Sequence, residues 1–242
     1  MATFTTTKPK TALELLDSAI LDLQCRLGVA TRGGGAGAGG GKKSNKKDKK
    51  KGGAKQQQPA AAAAPPADLP DICKLEFKVG QITKVWNHPE ADKLYCEEID
   101  VGEESPRQIA SGLRPHFSLE EMQGQRLLVV ANLKAKNLVK FKSHGMVLCA
   151  AAAAADSSSG DGETVEFVEP PPDAPIGEVV SFEGLPKPHP ATSSQVEKKK
   201  IFAKCMEGMK TNEDKTATWN GHAFMTSAGP CTVKTIQGGV LR

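Results

Sequence analysis

The sequence predicts a protein dominated by β-strands, with a five-stranded barrel of the OB type near its middle. Three observations support this fold class. Three strand-like segments, one short helix and two more strand-like segments follow one another between residues 75 and 151, which is the order of an OB barrel. A smaller β-rich segment follows. The preceding residues hold one amphipathic helix and a linker rich in Lys, Gly and Ala.

The barrel segments are predicted from alternating apolar residues and from turn residues between them. Gly80 in the first strand is expected to mark a bend or bulge. Ser118, three residues before Glu121, has the spacing of a capping box and predicts the short helix. The five predicted strands are 75–89, 94–102, 107–113, 125–133 and 145–151.

A low-complexity run, 150–162, separates the barrel from the second unit. Beyond it we expect more strands, a lysine-bearing helix near 195–209, and a hairpin turning at Asn220-Gly221. We expect this unit to have a small core of its own. The predicted organisation is an amphipathic helix in 1–28, a disordered basic linker in 29–67, an OB-fold domain in 68–152, and a β-rich C-terminal domain in 163–242 that packs on it.

Residues 11–28 predict one helix with a single apolar stripe. Thr11 and Glu14 have capping-box spacing, and Gly28 is a suitable stop. The stripe residues recur at intervals of three and four: Leu13, Leu16, Ile20, Leu23 and Leu27. Because an isolated helix of this length is marginal in water, the stripe needs a partner. The flexible linker after it favours another protein or a second copy over the body of this chain.

The linker, 29–67, contains no residues that could form a core and is predicted to be disordered. Its lysine run is either a solvated tail or a source of non-specific RNA affinity through counterion release. A nuclear localisation role is a weaker option. The run consists of Lys42, Lys43, Lys46, Lys47, Lys49, Lys50 and Lys51.

The net charge of +4 is unevenly distributed along the chain. Residues 1–67 hold twelve bases and four acids, a net charge of +8, whereas residues 68–242 hold 20 bases and 24 acids, a net charge of −4. The predicted folded part must therefore concentrate its lysines locally if it binds an anion. The stretch NLKAKNLVKFKSHGMVL, 132–148, does so with four lysines.

Several function classes lack support in the sequence. No apolar run is long enough to span a membrane, and the first 30 residues lack the pattern of a secretory signal. The six cysteines contain no CxxC pair, so we expect reduced thiols, with Cys96 and Cys149 in the core. There is no phosphate-binding GxxxxGK[ST], GxSxG or HExxH motif. We therefore expect no enzyme activity, cofactor, metal site, small-molecule substrate or membrane partner.

The segments HPEADKLY, EEIDVG, IASGL, ANLK and SHGMVLCA occur in the order found in the tRNA-binding domain family, which this chain resembles. The second unit, with PPPDAPIGEVVSFEG and TWNGHAFMTSAG, resembles the C-terminal half of endothelial monocyte-activating polypeptide domains. Together these similarities cover about 68–242. The resemblance implies a cytoplasmic, non-catalytic, synthetase-associated cofactor that binds folded tRNA.

The loop after NLK departs from the family pattern, because Ala135 replaces a proline and Lys140 stands where glycine is common. We expect the loops after strands 1 and 4 to carry the basic patch. Phe141 is the better candidate for base stacking, whereas Trp86 is expected to pack in the core. For Ser143 and Met146 a structural role and an RNA contact stay open. The predicted RNA-binding residues are Lys93, Asn132, Lys134, Lys136, Lys140, Phe141, Lys142, Ser143 and Met146.

The predicted function is tRNA binding through the barrel and the lysine tail, with the N-terminal helix docking on an aminoacyl-tRNA synthetase. Two alternatives remain. The chain could be a scaffold subunit of a multi-synthetase complex, or a generic binder of single-stranded nucleic acid. The scarcity of aromatic residues, 5% of the chain, favours recognition of folded RNA by shape and backbone.

Overall fold

The computed structural model describes residues 68–153 and 162–242. The predicted N-terminal helix and the basic linker lie outside the described residues, as do residues 154–161. The described residues belong to a single unit that extends from Ala61 to Arg242. A short 3-10 helix, Asp71–Lys74, precedes the first strand.

The first part of this unit contains seven strands and one helix. They are β1 (Phe77–Asn87), β2 (Tyr95–Asp100), β3 (Arg107–Ser111), α1 (Leu119–Met122), β4 (Arg126–Val130), β5 (Lys136–Leu138), β6 (Phe141–Ser143) and β7 (Met146–Val147). Five of the strands form an antiparallel sheet in the order β3-β2-β1-β4-β7. The amide of His144 donates to the carbonyl of Gln108 at 2.8 Å and brings the two edges together. This nearly closed sheet confirms the predicted OB-like barrel.

The second part forms a larger curled sheet with two short helices beside it. Its elements are β8 (Cys149–Ala153), β9 (Glu163–Phe167), β10 (Ser181–Phe182), α2 (Ser193–Lys198), α3 (Ile201–Met206), β11 (Met209–Thr211), β12 (Ala217–Trp219), β13 (His222–Thr226), β14 (Gly229–Pro230) and β15 (Val240–Leu241). The strand order is β10-β13-β12-β11-β15-β8-β9, with β14 paired to β13.

Local sequence signals account for several element boundaries. The Ser118 hydroxyl accepts from the Glu121 amide, and the Glu121 carboxylate accepts from the Ser118 amide at 2.8 Å, so the predicted capping box is present. Asn220 and Gly221 both have positive φ angles between β12 and β13, as the predicted hairpin requires. The lysine-bearing helix is divided into α2 and α3 by Lys200, whose φ is 52°.

The barrel and the second sheet share one hydrophobic core. Phe77 of β1 lies edge-on to Phe182 and Phe224, with ring centroids 6.0 and 5.1 Å apart. The amide of Val79 donates to the Glu178 carbonyl at 2.9 Å. The second unit therefore does not have the separate small core expected from the sequence. A second cluster of buried residues, including Ile82, Ile99 and Leu127, fills the barrel interior.

Three details of the barrel differ from the sequence-based expectations. The predicted fifth strand is divided at Leu148, so that β7 pairs with β4 while β8 pairs with β9 and β15. The irregularity in β1 lies between Ile82 and Lys84 and not at Gly80, where a Cβ would approach Ile99 Cγ2 to 3.0 Å. The lysine-rich segment expected to be a loop contains the β5–β6 hairpin.

The five cysteines in the described ranges are buried and form no disulfide there, and Cys96 and Cys149 lie in the protein interior as predicted. Burial raises the pKa of the Cys205 and Cys231 thiols to about 12, so these groups stay protonated. Among the helices in the described ranges, none has both the length and the apolar character needed to cross a membrane.

Candidate nucleic-acid interface

Two connections meet at one end of the barrel. The first, here called loop 1–2, joins β1 to β2 through residues 88–94, and the second, loop 4–7, joins β4 to β7 and contains the β5–β6 hairpin. The Lys140 ammonium lies 2.8 Å from the Glu90 carboxylate, so the hairpin tip contacts loop 1–2. These are the two connections that an OB barrel uses for ligands.

The predicted lysines lie on these connections with exposed side chains. We call this set the loop patch: Lys93, Lys134, Lys136, Lys140 and Lys142. Within the described ranges, Lys93, Lys136 and Lys142 have no recorded ion pair. Lys140 pairs with Glu90 while its side chain remains 80% exposed. Exposed ion pairs of this kind contribute little net free energy, so an incoming phosphate can displace the carboxylate.

The loop patch continues onto the second part of the protein. Lys134 Nζ lies 2.6 Å from the Glu197 carboxylate on α2, and both side chains are more than half exposed. The next three residues, Lys198, Lys199 and Lys200, are also exposed. The contact between loop 4–7 and α2 therefore places a second group of three lysines beside the first.

The hairpin turn has an unusual backbone. Val139 and Lys140 have φ angles of 44° and 68°, and Leu138 and Phe141 are paired on either side of them. Two central residues with positive φ define a type I′ turn, which favours Asn-Gly. A β-branched valine is strained there. Lys140 occupies the second position of the turn with an exposed side chain, so the turn presents a charge and carries backbone strain.

Two of the predicted RNA-binding residues are buried and bonded to the backbone. The Asn132 amide accepts from the Glu76 amide and donates to the carbonyls of Lys74 and Ala191, at 2.9 to 3.0 Å. The Ser143 hydroxyl accepts from the Ala110 amide and donates to the Gly145 carbonyl. Both side chains hold loop 4–7 in place, and their contact with RNA stays a prediction.

Met146 and Ser111 line a shallow depression between β3 and β7, together with Cys149, Val165 and Arg242. The Ser111 hydroxyl donates to the carboxylate of Glu97, which is fully buried. Burial raises the pKa of Glu97 to about 7, although the hydrogen bond from Ser111 opposes the shift. The second Glu97 oxygen has no partner within the described residues.

Sequence reasoning missed Arg107, which connects β3 to loop 4–7. Its guanidinium donates to the carbonyls of Ala131 and His144 at 2.5 and 3.1 Å, and it pairs with Glu103. These bonds fix both ends of the lysine-bearing segment. Burial, with the charges of Lys142 and Arg107, lowers the pKa of His144. No sequence pattern predicts this role of Arg107, because its two acceptors are backbone carbonyls, which every residue has.

Trp86 was expected to pack in the core. The structure shows instead that it is half-buried and lies outside both core clusters. Its ring contacts Phe141 edge-on at a centroid distance of 6.1 Å, and Phe141 also contacts His88 at 6.2 Å. We call Trp86, His88 and Phe141 the aromatic trio. It lies where β1 enters loop 1–2 and meets the hairpin, so rings and lysines share one surface.

This surface combines exposed ammonium groups, the half-buried rings of Trp86 and Phe141, and a loop held by hydrogen bonds to its backbone. Such an arrangement can neutralise phosphates and position a polyanion. Among the described residues, no group of three or more His, Cys, Asp or Glu side chains could hold a metal ion.

A family model described as "Putative tRNA binding domain" matches residues 77–179, which include β1 to β9 and the complete loop patch. A solved structure titled as the C-terminal domain of Plasmodium vivax p43 is 32% identical with a TM-score of 0.63. The alignment covers 72% of this chain and 100% of that one. The similarity to this structure therefore extends beyond the barrel.

Two curated relatives match a similar share of the chain. A "Probable methionine--tRNA ligase" of Oryza sativa subsp. japonica is 43% identical over 171 residues, which are 71% of this chain and 20% of the relative. The "Aminoacyl tRNA synthase complex-interacting multifunctional protein 1" of Cricetulus griseus is 33% identical over 168 residues, 69% of this chain and 44% of the relative. This chain therefore matches less than half the length of either relative.

Proposed function

Because this chain belongs to the tRNA-binding domain family, as a member with the second half found in p43, we propose that it binds folded tRNA without catalysing a reaction. The observation that carries the proposal is the contact between the two lysine-bearing connections through Lys140 and Glu90. This contact collects five exposed ammonium groups at one end of the barrel, although residues 68–242 together are net acidic. A local patch on an acidic body favours a polyanionic ligand.

The proposed RNA surface extends from the loop patch to the lysines of α2. The pair formed by Lys134 and Glu197 joins the two regions, and Lys198 and Lys199 follow directly. A surface that reaches across both parts of the fold suits a large ligand with phosphates at fixed spacings. A folded tRNA offers this geometry, whereas a flexible single strand does not.

The lysine run of the linker, 42–51, adds non-specific affinity and speeds encounter in this proposal. The apolar stripe of residues 11–28 docks on an aminoacyl-tRNA synthetase, so that tRNA is held near that enzyme. The names of the relatives, which are tRNA ligases or a synthetase complex-interacting protein, support this class of partner. Other relatives are named as cytoplasmic tRNA ligases, which supports placing this protein in the cytoplasm.

The central experiment is a titration of the full chain with folded tRNA at several salt concentrations, repeated with poly(U). We expect tRNA to bind tightly at low salt, with a steep linear dependence of log affinity on log salt, and poly(U) to compete weakly. Failure to bind tRNA at low salt would refute the proposal. Equal competition by poly(U) would instead favour the single-strand binder.

A second experiment separates delivery from scaffolding. Deletion of residues 1–28 should abolish co-purification of a synthetase from cell extract while tRNA affinity stays unchanged. Unchanged co-purification would contradict the docking role of the helix. If lysine substitutions in the loop patch abolished tRNA binding but left the assembly and its aminoacylation rate unaltered, the scaffold alternative would be favoured.

A further inference from the structure

The aromatic trio is not explained by phosphate binding or by the core. Trp86 lies opposite Cys96 near the end of β1, and Lys84, two residues earlier, lies opposite Glu98 on the same side of the strand. The Lys84 ammonium lies 5.2 Å from the centre of the Trp86 ring, within cation–π distance. A large ring is thus held at the surface with a positive charge over it.

The ring arrangement leaves aromatic faces uncovered by the neighbouring ring. Trp86 and Phe141 are inclined at 72°, and His88 and Phe141 at 74°. In an edge-on pair, each ring keeps at least one face that its partner does not cover. Both Trp86 and Phe141 are half-buried, so part of each side chain is open to solvent.

We propose that the Trp86–Phe141 pair stacks against an unpaired nucleobase of the bound tRNA. This inference rests on the proposed function and adds a base contact to it. Every base has a π-face, so stacking needs no particular sequence. Unstacked bases in loops and at ends of folded RNA are the usual targets of aromatic side chains.

The charges around the pair fit a nucleotide. Phe141 is the first residue of β6. Lys140 precedes it in the turn, Lys142 follows it in the strand, and both lysines are exposed. A base on the ring therefore has ammonium groups nearby for its flanking phosphates. Lys84 adds a cation beside Trp86. An apolar partner would leave these charges unpaired, so an RNA base is the favoured occupant.

Tryptophan fluorescence gives a direct test, because the sequence contains two tryptophans, Trp86 and Trp219. The Trp219→Phe variant leaves Trp86 as the only reporter. This change is mild, because the Trp219 ring nitrogen is buried without a partner within the described residues. The full chain carrying it would be titrated with tRNA and, in parallel, with heparin, a polyanion without bases. Binding is followed independently by anisotropy of the labelled ligand.

We expect tRNA to quench Trp86 emission saturably, at the concentrations where anisotropy reports binding, and heparin to bind without comparable quenching. Binding of tRNA without a change in Trp86 emission would overturn the stacking proposal and leave the proposed function intact. Equal quenching by heparin would also overturn it. No binding of tRNA in either assay would refute both.

Substitution of the rings provides a second measurement. Phe141→Leu should weaken tRNA binding by about 5- to 150-fold, the range for losing one stacked base, with an unchanged salt slope. Phe117→Leu is the matched control, because it removes a ring stacked on Phe167 at 4.2 Å outside the loop patch. If both variants bound tRNA as tightly as the parent, or if Phe141→Leu changed only the salt slope, the proposal would fail.

Discussion

The ammonium of Lys140 and the carboxylate of Glu90 form an exposed ion pair at 2.8 Å that connects the tip of the β5–β6 hairpin to loop 1–2. The proposed RNA surface is therefore assembled by a contact that RNA would have to break. An exposed pair is worth at most about 1 kcal/mol, so it holds the surface together weakly. Breaking the pair to bind a phosphate therefore costs little free energy.

Removing this competing carboxylate should strengthen RNA binding. Glu90→Gln frees Lys140, and we expect tRNA affinity at low salt to rise by up to about five-fold, the equivalent of the lost ion pair. Filter binding at constant salt measures the change. The control is Glu120→Gln, an exposed residue of α1. It changes the net charge by the same amount and should have a much smaller effect. Equal gains in both variants would indicate a general charge effect.

Removing the hairpin lysines should reduce both affinity and salt dependence. For Lys136, Lys140 and Lys142 changed together to Ala, we expect the salt slope to fall by about 2 to 3, since each lost phosphate contact removes roughly 0.7 to 0.9. A matched control replaces three exposed lysines elsewhere: Lys187, Lys210 and Lys234. If the two triple variants lost affinity equally, the loop patch would be an ordinary surface.

Relieving the strain at the hairpin turn should stabilise the hairpin locally. Val139 has a φ of 44°, and an asparagine tolerates this conformation better than a β-branched residue. We expect Val139→Asn to slow amide exchange at Phe141 by about five-fold, equivalent to roughly 1 kcal/mol. The Ile109 amide in β3 serves as the internal control. Unchanged exchange at Phe141 would show that the turn is not strained.

The buried carboxyl of Glu97 should make stability depend on pH. Its pKa is raised to about 7 from 4.5, so between these values the folded protein holds a proton that the unfolded chain releases. Stability is then lost as pH rises through this window, by at most about 3 kcal/mol. We expect Glu97→Gln to remove that loss, so that the variant gains stability relative to the parent at pH 8 but not at pH 4.5.

Chemical denaturation at several pH values tests this expectation. Glu103 serves as the control, because its pKa is shifted in the opposite direction. Its hydrogen bond and ion pair with Arg107 lower the pKa of Glu103 to about 2, so its contribution is lost as pH falls from 4.5 toward 2. Glu103→Gln should therefore lower stability at every pH above 4.5 and remove the decline between pH 4.5 and 2, while the loss assigned to Glu97 stays unchanged. An identical pH profile for the parent and Glu97→Gln would contradict the burial argument.

Much of the fold could be predicted because its signals are local. The capping box of Ser118 and Glu121, the Asn220-Gly221 turn and the alternation in the first four strands depend on residues close in sequence. These same features appear in the structure. The division of the predicted fifth strand at Leu148 depends on distant partners, since β8 pairs with β9 and β15.

The candidate site was less predictable, because its geometry comes from pairings that local patterns do not specify. The lysines of the loop patch are visible as a charged run in the sequence. The β5–β6 hairpin lacks the usual Asn-Gly signal, since Val139 and Lys140 form the turn. Trp86 was predicted to be a core residue from its strand position, but its contact with Phe141 arises only when the two connections meet.

The contact between Phe77 and Phe224 has a consequence for the time course of synthesis on the ribosome. Phe77 emerges about 150 residues before Phe224, which at usual translation speeds corresponds to roughly 8 to 30 seconds. During that interval Phe77 lacks the two rings, Phe182 and Phe224, that pack against it in the finished protein. The nascent barrel therefore exposes apolar surface until its second half is made, and we expect it to be prone to aggregation during that interval.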